Sequence, residues 1–337
     1  MTGKILRQKF GPPSKVNGPE MSFRLHLANL VLRLFEKPHL TPATPQELRV
    51  AFERKAQLFF HPPKGKVFSR QHLKTPSGSL QLQWVQPAQT SQGGVILYFH
   101  GGGYVFGSAR SHRAMLAKLA SLTGCRACLP DYRLAPEHPF PAALEDARAA
   151  YQGLLGQGCR PEDIVLGGDS AGGGLALALL HSLLSQGQTS PAGVFCFSPL
   201  TDMTFSGSSL RSNARSDVVL PVCRVREVGQ MYLREHGPQD PYVSPLFGVF
   251  KGASPVLLTV GDGEILLDDT CRMAQALERD CVDVTCDIRH NHPHVWPILG
   301  DWLPEARASL QDTAAFVRRV LDVASNLTAE TLPPDVR

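Results

Sequence analysis

A serine between two glycines follows a predicted strand, in the segment Gly168-Asp169-Ser170-Ala171-Gly172. The run before it (DIVLG) is typical of a strand, and the small-residue run after it (GGGLALALL) is typical of a helix. A sharp strand-to-helix turn presents a serine hydroxyl to solvent, and only small flanking residues fit there. The pattern indicates that Ser170 is a nucleophile, with an ordinary turn or a phosphate-binding loop as the alternatives.

A second glycine cluster, His100-Gly101-Gly102-Gly103, follows the predicted strand VILYF. Acyl transfer builds negative charge on the carbonyl oxygen, and glycines let backbone N–H groups approach that oxygen without obstruction. We expect Gly102 and Gly103 to donate to it, together with the N–H of Ala171. A glycine-rich turn alone does not explain two such motifs at matching strand ends, so their combination favours catalysis.

A nucleophilic serine of this kind needs a base, and in this motif order the histidine lies far downstream. Three histidines, His290, His292 and His294, stand at two-residue intervals before the last predicted helix. Pro293 breaks a regular strand and no carboxylate lies among them, which argues against a metal site. We predict that His294 is the base, and that the protein needs no metal or other cofactor.

The elements that must position these residues alternate from about residue 95 onward. Short apolar runs such as GVILYF, CRACLPDYRL and PVLLTVGD are separated by helical patterns, one of them opened by Ser111 and closed by Gly124. This alternation predicts an α/β protein with a mostly parallel sheet and helices on both faces.

Two stretches interrupt the alternation, residues 1–50 and residues 205–237, and we interpret them as two segments of a helical cap. The catalytic domain is then predicted to consist of residues 51–204 and 238–325, with residues 326–337 as a C-terminal tail. Insertions of this kind lie above the carboxyl ends of the strands. Phe106 and Trp296, which stand beside the proposed oxyanion loop and base, are predicted to line an apolar substrate pocket.

Composition narrows the classes of partner. The 337 residues include 34 basic and 30 acidic ones without a lysine or arginine block, which argues against nucleic-acid binding. The eight cysteines are expected to be reduced thiols, because a core of this size does not need disulfides. The polar, Pro/Gly-punctuated start does not have the apolar core of a secretory signal, and we expect a cytoplasmic protein, with a homodimer left open.

The segment from Phe23 to Phe35 has the periodicity of an amphipathic helix, with an apolar stripe that includes Leu27, Leu30, Val31 and Leu34. It falls short of the ~20 apolar residues that span a bilayer, so stable membrane insertion is not expected. We expect this stripe to pack on the rest of the protein, with membrane-surface binding as the alternative.

The motifs HGGG, DYRLAPEHPFPAALED, GDSAGG, SPLTD and HVW occur in the order found in the hormone-sensitive-lipase-like bacterial esterases (family IV carboxylesterases), which this sequence resembles over about residues 70–323. The resemblance implies the α/β-hydrolase fold and a serine carboxylester hydrolase acting on short- to medium-chain acyl esters. The same site chemistry would serve an amidase or deacetylase, and a non-catalytic ligand-binding relative is the alternative from another class.

The acid is where the sequence departs from that family, whose Asp-Pro-Leu-x-Asp-Glu motif is replaced by GDGEILLDD. Alignment of the leucine and the acidic pair puts Glu264 in the catalytic slot, since either carboxylate can orient an imidazole. Asp262 is the main alternative. Asp268 and Asp269 are expected to be helix caps, and Asp202 is a remoter candidate.

The motifs predict that Ser170→Ala leaves a folded protein whose kcat for ester hydrolysis is at least ~10³-fold lower, because the nucleophile is gone. Covalent labelling by an organophosphate, read by mass spectrometry, should disappear. Labelling that persisted in the folded variant would contradict the assignment of Ser170.

Overall fold

The computed structural model describes residues 21–41, 43–63, 67–87 and 93–331, with only the backbone described for residues 324–331. The strands are β1 (Val67–Thr75), β2 (Gly78–Gln86), β3 (Val95–Phe99), β4 (Arg126–Pro130), β5 (Ile164–Asp169), β6 (Gly193–Phe197), β7 (Val256–Gly261) and β8 (Val284–Arg289). They form one sheet in the order β1-β2-β4-β3-β5-β6-β7-β8.

The α-helices are α1 (Phe23–Val31), α2 (Lys37–Leu40), α3 (Pro45–Phe59), α4 (Ala109–Thr123), α5 (Ala142–Gly156), α6 (Ala171–Ser185), α7 (Ser209–Ser212), α8 (Val222–Leu233), α9 (Leu267–Arg279) and α10 (Pro304–Thr331). A π-helical segment, Leu32–Glu36, joins α1 to α2, and 3-10 turns occupy Pro161–Asp163, Pro245–Phe247 and Trp296–Trp302.

The predicted mostly parallel sheet is confirmed. Strands β4, β3, β5, β6, β7 and β8 are parallel neighbours, while β1 and β2 pair antiparallel with each other and β2 with β4. Parallel strands buried on both faces need apolar side chains on both faces. In β3, Leu97 and Phe99 belong to the core with α5 and α6, whereas Ile96 and Tyr98 belong to the core with α4 and α10.

The hairpin of β1 and β2 was not among the predicted elements. It pairs from Val67 with Gln86 to Thr75 with Gly78, and Gly78 takes a φ of +127° that suits glycine at the turn. Strand β1 is an edge strand whose side chains are mostly exposed, so its sequence VFSRQHLKT does not have the apolar signature of a core strand.

Helix α4 begins earlier than predicted. Its N-cap is Ser108, whose hydroxyl accepts a hydrogen bond from the N–H of Ser111, while Ser111 Oγ accepts one from the N–H of Ser108. This reciprocal pair is a capping box, so Ser111 is the third helical residue rather than the first. The predicted end is confirmed, because Gly124 follows the helix with a φ of +74°.

The predicted segment boundaries are only partly matched by the elements. Residue 50 falls inside α3, which continues to Phe59, and the C-terminal helix continues to Thr331, through the first half of the predicted tail. Residues 1–20 and 332–337 lie outside the described residues, so the expectations about them stay expectations. No helix in the described ranges is both long and apolar enough to cross a bilayer.

The apolar stripe of the first helical segment faces solvent, not the rest of the protein as expected. Leu25 and Ala28 are its buried residues, whereas Leu27, Leu30, Val31 and Leu34 are 40–56% exposed. The expectation that this stripe packs on the protein was wrong. Polar contacts on the other side decide the orientation. Ser22 donates to Glu305 from both its N–H and its hydroxyl, and the Asn29 amide donates to the carbonyl of Asn291.

Gly172 has no room for a side chain, because a Cβ there would lie 2.1 Å from the Phe99 carbonyl oxygen. We expect Gly172→Ala to lower the free energy of unfolding by about 2 kcal/mol or more, measured by chemical denaturation. Gly156→Ala is the matched control, since a Cβ at this helical glycine meets no atom within 4 Å. That variant should be neutral or gain up to about 1 kcal/mol. Equal losses in the two variants would contradict the packing argument.

Candidate active site

Ser170 lies in a strained turn between β5 and α6. Its φ of 51° and ψ of −123° are sparsely populated by non-glycine residues, a conformation that costs about 1–3 kcal/mol. Three backbone hydrogen bonds hold it: the Ser170 N–H donates to the Phe197 carbonyl at 2.8 Å, and the Ser170 carbonyl accepts from the N–H groups of Leu200 and Gly174. The turn lifts Ser170 out of the strand at the carboxyl edge of the sheet.

The glycines around Ser170 are required by close backbone packing. A Cβ at Gly168 would lie 2.2 Å from the Gly172 carbonyl oxygen, and a Cβ at Gly174 would lie 2.1 Å from that of Leu200. Together with the contact of Gly172 on the Phe99 carbonyl, these distances give the physical reason for the G-x-S-x-G spacing. They also press the turn of Ser170 against the end of β3, where the second glycine cluster begins.

The loop after β3 bends back on itself through its glycines. Gly102 and Gly103 have φ values of +115° and +62°, and the Gly102 carbonyl accepts hydrogen bonds from the N–H groups of Val105 and Phe106 at 3.0 Å each. The third predicted donor, Ala171, opens α6, so its N–H is one of the first-turn groups that have no partner within a helix. The N–H groups of the glycine loop and of the first turn of α6 are backbone donors that suit a developing oxyanion.

A buried carboxylate, Asp169, fastens this loop to the serine turn. Its Oδ1 accepts hydrogen bonds from the Gly101 N–H at 2.9 Å and the Tyr98 hydroxyl at 2.8 Å, and His112 Nε2 lies within 3.3 Å of the carboxylate. Burial would raise the pKa of Asp169, but the interactions with His112 and Tyr98 outweigh burial, and the pKa is lowered. Asp169 directly precedes Ser170, so its bond to the Gly101 N–H holds the glycine loop beside the serine turn.

The predicted acid and base are in direct contact. His294 Nδ1 lies 2.6 Å from Glu264 Oε2, and both side chains are buried. The other carboxylate oxygen, Oε1, accepts hydrogen bonds from the Gly261 N–H at 2.6 Å and the Ser198 hydroxyl at 2.8 Å. Among the described residues no hydrogen bond joins the Ser170 hydroxyl to His294, a contact that commonly tightens only when substrate binds.

The contact changes the acid–base properties of the pair. Burial favours the neutral imidazole, but the hydrogen bond and negative charge of Glu264 outweigh it and raise the pKa of His294 above its ordinary 6.5. Burial also raises the pKa of Glu264, against the opposing influence of His294 and the Gly261 N–H. The arrangement stabilises an imidazolium, which is the state that a general base reaches after accepting a proton.

Each alternative acid has other partners. Asp262 accepts a hydrogen bond from the N–H of Asn291 and pairs with His290 Nδ1 at 2.6 Å. The expectation that Asp268 and Asp269 are caps of their helix was wrong, because both lie inside α9, whose N-cap is Leu266. Their carboxylates accept hydrogen bonds from serine and backbone donors near α7 and β6 instead. Asp202 accepts from Thr204 and Ser206 and pairs with Arg272.

The three histidines do not converge on one point. His290 pairs with Asp262, His292 Nδ1 lies 2.8 Å from the His290 carbonyl oxygen, and His294 pairs with Glu264. Within the described part of the chain, no group of three or more His, Cys, Asp or Glu side chains is arranged to hold a metal ion.

Sequence reasoning missed two residues that support the pair. Ser198 lies directly after β6, and its hydroxyl donates a hydrogen bond to Glu264. The same hydroxyl oxygen accepts a hydrogen bond from the N–H of Val295 at 3.3 Å. Asp217, from the predicted second cap segment, accepts the N–H of Ile265 at 2.9 Å. A polar residue directly after a buried strand is a signal that would have indicated Ser198, whereas Asp217 lies in an irregular segment without such a signal.

The two predicted pocket residues differ in placement. Phe106 is half-buried, beside Gly102, and its ring meets that of Phe52 edge-on at 5.4 Å. Trp296 is fully buried with Leu25, and its indole N–H donates to Ser309. Trp296 therefore packs between α1 and α10, which gives no support to a pocket-lining role.

A cavity of about 120 Å³ reaches the acid–base pair from the side of α1. Its lining includes Glu264 and His294 on one side, Asn29 and Arg33 from the first helical segment, and Asp217. The N-terminal helices thus form part of the wall around the candidate site. Val228 of α8 also belongs to this wall, since it packs closely on the glycine loop: a Cβ at Gly103 would lie 2.4 Å from Val228 Cγ1.

Comparisons with known proteins give consistent results. The alpha/beta hydrolase fold family matches residues 96–298. An acetyl-hydrolase of Streptomyces hygroscopicus is 37% identical over 272 residues, 80% of this chain and 88% of its own, and an esterase of Acinetobacter venetianus is 40% identical over 230 residues, 68% and 76%. The crystal structure of an esterase from the bacterial hormone-sensitive lipase family is 35% identical with a TM-score of 0.83, and the match covers 89% of this chain and 99% of that one.

The contact between Glu264 and His294 generates a prediction about pH. We expect Glu264→Gln to lower kcat at least ~10²-fold, because the imidazolium loses its neighbouring charge. Since a neutral imidazole is the active base, kcat/KM of the parent should fall as pH drops through an apparent pKa above 6.5, and the variant's midpoint should be lower.

Asp262→Asn is the matched control, because Asp262 lies two residues away and contacts His290 instead. It should keep kcat and the pH midpoint near those of the parent. A loss of orders of magnitude in Asp262→Asn, with Glu264→Gln near the parent, would transfer the acid's role to Asp262.

Proposed function

Since this chain belongs to the alpha/beta hydrolase family and is a serine carboxylester hydrolase of the hormone-sensitive-lipase type, we propose that Ser170 is the residue that attacks the ester carbonyl. The observation that carries the proposal is the strained turn of Ser170 at the carboxyl edge of the sheet, packed against the glycine loop. A serine held in a strained turn next to backbone donors has the arrangement that acyl transfer needs.

His294 is proposed as the proton carrier. As the bond from Ser170 Oγ to the carbonyl carbon forms, the hydroxyl proton passes to the imidazole, and the same proton then passes to the departing alkoxide as the ester C–O bond breaks. Water repeats both steps on the acyl-enzyme and releases the acid. The buried carboxylate of Glu264 holds the imidazole by Nδ1, which leaves its other nitrogen for this transfer.

The oxyanion of each tetrahedral intermediate is proposed to lie against the N–H groups of Gly102, Gly103 and Ala171. What supports this is the bend of the loop at the two glycines and the place of Ala171 at the N-terminus of α6. Donors that are held in place before the reaction cost no reorganisation when charge develops, which makes them effective in a buried site.

We propose short- to medium-chain acyl esters as the substrates. Helices α1–α3 and residues 205–237 are proposed as the two cap segments, and their contacts support that interpretation. Arg49 of α3 donates to the carbonyls of Val105 and Ala135, in loops that follow β3 and β4. Phe106 and Val228 limit the space beside the glycine loop, and the Streptomyces relative is an acetyl-hydrolase.

The partner and the cellular location of the protein are proposals as well. A small-molecule ester is the expected partner, and the cytoplasm is the proposed location.

A panel of p-nitrophenyl esters tests the substrate class. We expect kcat/KM to be greatest for acetate, butyrate or hexanoate and at least ~10-fold lower for laurate, because a capped pocket excludes long chains. A p-nitroanilide of the best acyl group should react more slowly, and Ser170→Ala gives the background rate. A maximum on emulsified long-chain triglyceride, or an anilide rate equal to the ester rate, would contradict the proposal.

A further inference from the structure

Within the part of the chain that the structure describes, the first helical segment has an apolar face that no other segment covers. Six side chains, which we call the apolar stripe, make up this face: Phe23, Leu27, Leu30, Val31, Leu34 and Phe35, with exposed fractions from 40% to 81%. Monomeric proteins rarely expose large contiguous apolar patches unless the patch binds something. Packing among the described residues does not account for the stripe, because the buried face of α1 is the opposite one, with Leu25 and Ala28.

An exposed aromatic side chain lies near the start of α1. Trp302, at the end of the 3-10 turn before α10, is 46% exposed, and Arg24 NH1 donates to its carbonyl oxygen at 2.8 Å. Trp302 therefore lies beside the first turn of α1. Exposed tryptophan and phenylalanine next to aliphatic side chains are enriched where proteins meet the boundary between lipid headgroups and acyl chains.

The charges around the stripe indicate the sign of its partner. In residues 21–41 the cations are Arg24, Arg33 and Lys37, and the single carboxylate, Glu36, is paired with Lys55. Arg24 and Arg33 are exposed, they donate to neutral carbonyls, and neither forms a direct ion pair with a carboxylate among the described residues. An apolar face flanked by arginines fits an anionic lipid surface.

A second copy of the chain fits the same face less well. A symmetric dimer places each patch against its own copy, so the arginines of one stripe would approach those of the other. The segment offers no unpaired carboxylate to meet them, and like charges across an interface are unfavourable. The charge pattern therefore selects lipid over self-association.

We propose that the apolar stripe docks this enzyme, peripherally and reversibly, onto anionic lipid surfaces. The position of the stripe gives the docking a consequence for the site. The same segment contributes Asn29 and Arg33 to the wall of the cavity that contains Glu264 and His294. Asn29 also donates to the carbonyl of Asn291, three residues before the base. The helix that carries the stripe thus contacts, by its other side, the loop that carries the base.

Flotation of the full-length protein with lipid vesicles tests the proposal. Vesicles of phosphatidylcholine with 30% phosphatidylglycerol should bind the protein, pure phosphatidylcholine should bind it much less, and 0.5 M salt should weaken the binding. Leu30→Gln combined with Leu34→Gln should lower the partition coefficient at least ~10-fold, because two apolar contacts are lost.

Val249→Gln combined with Val323→Gln is the matched control, since these two valines are exposed at 63% and 54% but lie outside the stripe. It should bind like the parent. Circular dichroism and hydrolysis of a soluble acetate ester should be unchanged in both double variants. Ser170→Ala should still bind vesicles, so failure of docking and failure of the proposed catalytic assignment are distinguishable.

A fluorescence readout locates the contact. Trp84 and Trp296 are buried, so brominated lipid should quench mainly Trp302, and Trp302→Phe should abolish the quenching. Equal binding of the parent and the Leu30/Leu34 variant would overturn the proposal. It would also be overturned if sedimentation showed a parent dimer that this variant converts to a monomer, because a second copy would then cover the stripe.

Discussion

The carboxylate of Glu264 is the group on which the arrangement of the site depends. It is almost wholly buried, and a buried carboxylate is tolerated only when donors surround it. Its donors come from three consecutive strand ends: Ser198 after β6, the Gly261 N–H at the end of β7, and His294 after β8. Displacement of any one of these strands would leave the charge under-compensated. The hydrogen bonding of one side chain thus fixes the relative positions of three loops.

The two proposed cap segments are joined to each other as well as to the sheet. Lys37 Nζ donates to the carbonyls of Ala214 and Asp217 at 2.8 and 2.7 Å, and Arg224 donates to the carbonyl of Ala43. Asp217 in turn accepts the N–H of Ile265, directly after the acid. The segments are far apart in sequence, yet these bonds couple them, so a shift of the N-terminal helices would be transmitted to the neighbour of Glu264.

The sequence was sufficient to predict those parts of the molecule in which a residue type has a single structural explanation. The central parallel strands β3, β6 and β7 are nearly continuous apolar runs, and the glycines at positions 102, 168 and 172 mark turns and contacts that no side chain permits. The edge strand β1 was missed because it is half polar. The orientation of α1 was missed because periodicity shows that a face is apolar but not where it points. Hydrogen bonds from Ser22 and Asn29 to distant residues decide that, and their partners cannot be read from local sequence.

The contacts of Asp169 limit which substitutions this sequence can accept during evolution. Its carboxylate serves Tyr98, Gly101 and His112 together, and a Cβ at Gly101 would lie 2.1 Å from one of its oxygens. Replacement of Asp169, Tyr98 or His112 alone leaves a buried group without its partner, and a side chain at position 101 would clash with the carboxylate, whereas a coordinated set of replacements need do neither. Descendants should therefore inherit the four residues as a linked group, so that the glycine loop and the serine turn, about 70 residues apart in the chain, change together or remain as they are.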